Sequence, residues 1–352
     1  MLLQLLPTDT PESTPSIQRG SFHGAGGTLL GMQIVNVCLT IVTLGAYHFW
    51  AKAKIRRYLF SQTAFAGDRF AYHGTGKELY QGFLKAMVVF GIPYFSLGAA
   101  HSFLALPQSV DFLLQAMAAL VLFLYVPVAI VNARRYRCTR TSWRGIRFSF
   151  RGRTVDFLKL YLKGWLFTLL TLGTYYPYFQ TQRQAFLHSH TYFGNQRFQF
   201  TGHGSGLMVP FAVTLFTTYA VLCLCGLALA LQLTNAGLTL LLIPFVLGPV
   251  WVWLLGQKQK YYWDHTTFGE ARFSSSITWQ KLFGLYLGNL ALLLLTLGWA
   301  WPWVTVRNAR FFIGTLSLQG LTDLDRVLQD TTETSVTGEG LSNLLDTGFD
   351  MD

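Results

Sequence analysis

Hydrophobic residues fall in long blocks separated by basic, aromatic connectors. Apolar runs occupy roughly 28–50, 84–106, 111–131, 156–179, 207–231, 236–256 and 280–303. Each is near the roughly 20 residues a helix needs to cross a hydrocarbon core, so the pattern predicts about seven transmembrane helices. Three runs close on one signature: Thr43-Leu44-Gly45, Thr171-Leu172-Gly173 and Thr296-Leu297-Gly298, each followed by aromatic residues and then by positive charge. That order is expected where a helix leaves a bilayer through the headgroup layer. Gly45, Gly173 and Gly298 are candidate hinges at these exits.

The connectors change period. Thr63-x-Phe65-x3-Arg69-Phe70-x-Tyr72-x-Gly74 recurs from Thr141 through Arg147 to Gly152 and from Thr191 through Arg197 to Gly202. It recurs in weaker form from Thr266 through Arg272. Aromatic and polar residues alternate around a glycine-containing turn, which predicts short β-hairpins between the helices, each with one apolar face. Single hairpins are marginal in water, so these are expected to pack on helix ends or at the lipid interface.

Taken together, the pattern predicts an all-α polytopic membrane protein, built from a duplicated three-helix unit plus one further helix. Its expected divisions are a flexible lead-in at 1–20, membrane repeats at 21–155 and 156–279, a truncated third repeat at 280–321, and a tail at 322–352. The tail holds eight carboxylates against Arg326 alone, a composition expected to be disordered. Only 12% of the chain is charged, against about a quarter in a soluble domain, so there is too little charge to cover a water-facing surface.

The exit Trp50-x-Lys52-x-Lys54-x-x-Arg57-Tyr58 and the stretch Phe70-x-Tyr72-x-Gly74-x-Gly76-Lys77-Glu78-Leu79-Tyr80-x-Gly82-Phe83 resemble the YjgN-like family of bacterial inner-membrane proteins. The likeness covers roughly residues 20–320. It implies an inner-membrane location and a multi-pass architecture, and supplies no catalytic residues.

Charge sets the expected orientation. If all seven runs cross, connectors 51–82 and 132–155 share a face with the C-terminal tail, and that face with its adjoining helix ends carries 19 lysines and arginines, against 7 opposite. The positive-inside rule then places the C-terminus in the cytoplasm and the N-terminus outside. In a rival arrangement the three Thr-Leu-Gly helices turn back within the membrane, all four hairpins lie on one side, and four helices cross. The lower charge of the third and fourth connectors favours the seven-helix arrangement.

Candidate chemistry is sparse. Asn36 and Asn289 lie at corresponding depths in apolar runs, and Lys159 and Lys163 share one face of a helix; together they form a candidate polar pathway, or an interhelical hydrogen bond and interfacial snorkelling. Arg69, Arg147, Arg197 and Arg272 are placed either to hold lipid phosphates or to brace the hairpins. His188, His190, His203 and His265 lack the carboxylates or cysteines that complete a metal site, so no metal is expected. The chain has no phosphate loop, His-Glu-x-x-His or nucleophile elbow, so no enzyme chemistry and no cofactor are expected. The expected partners are anionic lipid and a small solute, without nucleic acid. A transporter or channel-like role follows, with a structural, lipid-organising role as the alternative.

Overall fold

The computed structural model of the protein describes residues 17–103, 107–232 and 235–320; the acidic tail and residues 1–16 lie outside the described residues. Five units follow one another, each a strand, a pair of antiparallel helices and a second strand. The first unit is β1 (Gln18–Phe22), α1 (Gly26–Val42), α2 (His48–Gln62) and β2 (Thr63–Phe65). The second is β3 (Asp68–Tyr72), α3 (Gly76–Ala86), a π-helical turn at Met87–Gly91, α4 (Ile92–Phe103), α5 (Gln108–Arg140) and β4 (Thr141–Trp143). The third is β5 (Ile146–Phe150), α6 (Thr154–Leu170), α7 (Tyr176–Ser189) and β6 (Thr191–Phe193). The fourth is β7 (Gln196–Phe200), α8 (Met208–Ala230), α9 (Ala236–Asp264) and β8 (Thr266–Phe268). The fifth is β9 (Ala271–Ser275), α10 (Trp279–Leu295), α11 (Trp301–Gly314) and β10 (Leu316–Gln319).

The ten strands close into one antiparallel barrel, with β10 pairing back onto β1 through Gln18↔Leu318. Register fixes the layout. In every unit the last residue of the first strand faces the first residue of the second: Phe22↔Thr63, Tyr72↔Thr141, Phe150↔Thr191, Phe200↔Thr266 and Ser275↔Leu316. All five helix pairs therefore leave from and return to one rim of the barrel. The tight turns joining units, such as Ala66-Gly67 and Arg144-Gly145, occupy the other rim. Closure removes every strand edge, which explains how strands of three to five residues persist.

The helices form a matching ring, each packing on its neighbours in the chain and α11 packing on α1. Arginines stitch successive units. Arg57 donates to the Gly74 carbonyl at 3.5 Å, Arg135 to that of Gly152 at 3.1 Å, and Arg310 to that of Gly24 at 3.4 Å, the last closing the circle between fifth and first units.

Thr-Leu-Gly ends a helix without carrying it out of a membrane. Gly45 N–H donates to Thr40 O at 2.7 Å and Leu44 N–H to Ile41 O at 3.1 Å, the paired bonds of a Schellman motif. Thr43 Oγ1 donates to Leu39 O at 2.7 Å and accepts from Tyr47 N–H at 2.9 Å, starting the return helix. The same bonds recur at Gly173 and Gly298. The leucine at each turn has left-handed backbone, φ 51°, 49° and 50°, and is 97%, 82% and 90% exposed at the tip.

This geometry overturns the seven-span, all-α expectation. The run at 28–50 is two helices joined by a tight turn, as are those at 156–179 and 280–303. At 17 residues, α1, α6 and α10 rise about 25 Å and stop short of the ~30 Å hydrocarbon thickness. Among the described residues four helices are long and apolar enough to cross a membrane: Gly76–Ala99, Gln108–Arg140, Gly204–Ala230 and Gly237–Asp264. The duplicated three-helix unit gives way to five strand–helix–helix–strand units. Because β1 and β10 are neighbours, residues 18 and 318 lie on the same side, so the opposite placement of the two termini loses its basis.

Candidate functional site

The barrel lumen is built by the alternation of its strands. Side chains at the third position of the odd strands turn inward: Phe70, Phe148, Phe198 and Phe273 stack in succession at 6.2–6.4 Å. Phe65, Trp143, Phe193 and Phe268 form a second layer from the even strands, with neighbouring centroids 5.5–6.2 Å apart. The fifth place in each layer is filled differently, by Gly20 of β1 and Leu318 of β10. A Cβ at Gly20 would lie 2.7 Å from Ile313 O, so backbone rather than a ring occupies that sector.

These side chains do not fill the barrel. They line a cavity of about 490 Å³ that opens towards the helices, a size within the roughly 300–1,000 Å³ of small-molecule sites. Its helix-side rim carries Arg134, Arg137, Cys138, His188 and Trp263. The threonines that begin β4, β6 and β8 each donate to the carbonyl four residues earlier, at 2.7–2.8 Å, ending the returning helix as the strand begins. That local bond explains the recurrence of threonine there.

The rim is positively charged. Arg134 Nη2 reaches Thr191 Oγ1 at 3.5 Å, and its Nε is buried without a hydrogen-bond partner. His188 is buried, with Nε2 2.7 Å from Gln184 Nε2. Burial, assisted by the nearby Arg134 charge, pushes His188 down to about 4, so its ring is neutral at physiological pH. Gln180, Gln184 and His188 share one face of α7, and Arg183 lies about 140° round the helix from His188. Its Nε is also buried without a partner, and its charge acts on Lys258 of α9.

The residues singled out from the sequence fall elsewhere. Asn289 donates to Asn308 Oδ1 at 2.7 Å, joining α10 to α11, while its own Oδ1 is buried without a partner. Asn36 is buried in α1 with neither amide atom paired. Lys159 and Lys163 are exposed on the outside of α6, Lys163 lying 5.8 Å from the Phe167 ring centroid. Arg69, Arg147, Arg197 and Arg272 are exposed on the barrel's outer face, each second in its strand, and Arg19 of β1 makes a fifth. Arg197 Nε donates to Ser189 O at 2.6 Å. Gly45, Gly173 and Gly298 are the second residues of the Schellman turns. His190 and His265 donate to helix carbonyls at 2.8 and 2.9 Å, away from His188. The structure thus brings together Arg134 and His188 at the cavity, of which only His188 had been singled out. The signal was helical spacing at 180, 184 and 188, inside a stretch that reads as connector.

The chain matches the family described as "Bacterial protein of unknown function (DUF898)" over residues 17–344. It is 35% identical over 130 residues to "Inner membrane protein YjgN" of Escherichia coli O157:H7, a match covering 37% of this chain and 30% of that protein. The proteins of that name from Escherichia coli K12 and Salmonella typhimurium are each 33% identical, again over 37% of this chain and 30% of the relative. No solved structure matches. With four helices able to cross a bilayer, relatives named for the inner membrane and a family match over nearly its whole length, the chain belongs to this bacterial family of unknown function, whose YjgN-like members are inner-membrane proteins.

Proposed function

We propose that the protein is a channel-like or carrier protein for a small solute, with the barrel as a vestibule on the cytoplasmic side. The observation that carries this reading is the lumen: an aromatic-walled cavity of about 490 Å³ framed by a closed ring of strands and opening towards a closed ring of helices. A protein built only to pack would fill that space with side chains. The orientation follows from charge. No Lys or Arg occurs at 86–133, at 207–257 or in the three Thr-Leu-Gly turns, so the basic residues gather towards the barrel. By the positive-inside rule that end faces the cytoplasm, with both described chain ends beside it. The three short helix pairs are then re-entrant. Their turns stop within the bilayer, which is tolerable because the Schellman and threonine bonds satisfy the turn's backbone and the exposed side chains around it, such as Ile41, Val42 and Leu44, are apolar.

The test is flux. Purified full-length protein in vesicles is expected to pass small radiolabelled anions above the empty-vesicle rate, and Phe148→Ala or Phe198→Ala, which widen the lumen, to raise it. Empty-vesicle rates for every solute tested, from protein eluting as one folded species, would remove this reading. The exposed arginines favour a second one: Arg19, Arg69, Arg147, Arg197 and Arg272 encircle the barrel, placed to hold anionic headgroups and organise lipid. Under it, Arg69→Ala with Arg147→Ala strips co-purifying anionic lipid while flux stays at background.

A further inference from the structure

The lumen cavity joins ring-lined walls to a cation whose donors are barely used. Arg134 lines the cavity from the last turns of α5, as do Thr191 and His188 from the neighbouring unit. Of the several N–H donors of its guanidinium, one has a partner: Nη2 reaches Thr191 Oγ1 at a long 3.5 Å. Thr191 in turn donates to Leu187 O at 2.7 Å. The Arg134 Nε–H is buried with no acceptor. His188 is neutral and adds no charge to the site, and Arg137, on the same rim, is already engaged.

No described carboxylate lines the cavity, and among the described residues none pairs with Arg134. The carboxylates near the barrel are committed elsewhere: Glu78 to Arg140 at 2.8 Å, Asp68 to Arg144, and Asp264 to the Ser275 amide at 2.9 Å. A partly buried cation with no counter-charge costs stability, and an anion in the cavity would relieve that cost. The charge sets the class of anion. One guanidinium balances one negative charge, and a dianion would carry its second charge uncompensated into an apolar space. The planar guanidinium fork matches a carboxylate. The rest of the space, about 490 Å³ walled largely by Phe and Trp rings, suits an apolar body.

We propose that the lumen binds a monocarboxylate with an apolar body, the carboxylate accepting from the Arg134 guanidinium and the body lying among the rings of Trp143, Phe148 and Phe198. Aromatic faces on the walls favour an aromatic body over an aliphatic one of similar size. This site gives the vestibule proposed above its solute class and rests on that reading. It needs only equilibrium binding, so the two fail separately.

The test is calorimetry on the full chain in a neutral detergent, with the heat of each ligand entering detergent alone subtracted. At neutral pH, 2-naphthoate is expected to bind saturably and octanoate more weakly. The uncharged 2-naphthamide, the dianionic 2-naphthyl phosphate and acetate, which has no apolar body, should each bind much more weakly than 2-naphthoate. Arg134→Gln is expected to weaken 2-naphthoate by about ten- to a hundredfold, the loss of a charge-assisted hydrogen bond. Arg134→Lys should recover part of it. Phe148→Trp, which fills the lumen and leaves the cation in place, should also weaken 2-naphthoate. No saturable heat, or an unchanged affinity in Arg134→Gln protein that elutes as wild type, would overturn the proposal. So would 2-naphthamide binding the unaltered protein as tightly as 2-naphthoate, a comparison that needs no variant to fold. Acetate binding as tightly would overturn the lumen's part, and 2-naphthyl phosphate binding more tightly would overturn the single-charge site. Binding of 2-naphthoate without flux would keep this site and remove the transport reading; flux without that binding would do the reverse.

Discussion

Gly164 and Phe179 test whether the third helix pair folds back on itself. They lie 15 positions apart, and in one continuous helix they would be separated by about 22 Å. In the structure they touch across α6 and α7. A Cβ on Gly164 would overlap the Phe179 ring and lie 2.6 Å from its Cγ. Phe179 is 1% exposed and ringed by Tyr161, Trp165 and Tyr176, at 5.6–6.3 Å between centroids, so it has no free space to swing into. Gly164→Ala is therefore expected at the upper end of the overpacking range, about 2–3 kcal/mol. Phe179→Ala removes a fully buried ring and is expected to cost about 3–5 kcal/mol. The methyl of Gly164→Ala fits the space that Phe179→Ala opens, so the double variant should cost little more than Phe179→Ala alone, a coupling of about 2 kcal/mol. Denaturant unfolding of the four proteins in one detergent measures this cycle. Additivity within about 0.5 kcal/mol would show that the residues do not meet and would refute the folded-back pair.

Three further outcomes follow from the same geometry. Asn195→Cys and Gly269→Cys, placed singly at inter-unit turns in a cysteine-free background, should react with an impermeant thiol reagent only after the inner membrane is opened; labelling of either on intact spheroplasts would refute the common barrel side. Leu172→Gly should stabilise the protein by about 1 kcal/mol, because φ of 49° suits glycine, and Gly173→Ala at φ +92° should destabilise it by about 1–2 kcal/mol; reversed signs in thermal unfolding would refute the turn. His188 is held near 4 in the fold and returns to about 6.5 when unfolded, so the unfolded chain takes up a proton that the fold excludes. Stability from this group is full above about pH 6.5 and falls, by up to about 3 kcal/mol, as the pH drops towards 4. His188→Gln should flatten that part of the pH profile, and an unchanged profile would show that the ring is solvated.

Much of the candidate site is local in origin. The inward Phe70, Phe148, Phe198 and Phe273 are legible as the apolar face of each hairpin, because strand alternation is a property of neighbouring residues. The outward arginines follow from the same period. The basic rim is not legible, because Arg134 and His188 come from segments separated by 54 positions and meet only when successive units pack side by side. The charge difference that favoured seven crossing helices has another cause. It follows the sectors of one barrel, the second and third units being richer in arginine than the fourth.

The sequence by itself determined the apolar helices, the four hairpins and their turns, the Thr-Leu-Gly helix ends and the concentration of positive charge between apolar runs. Each depends on side-chain period, capping and backbone preference within a few residues. Only the tertiary structure decided that Thr-Leu-Gly reverses the chain, since left-handed backbone at a leucine is unfavourable until packing of the return helix offsets it. It also decided that the hairpins join into one barrel. Pairs such as Phe70↔Trp143 and Gln18↔Leu318 bring together strands far apart in the chain and leave no local trace. The first strand, with Gly20 where the others carry phenylalanine, is recognisable only once its neighbours are in place.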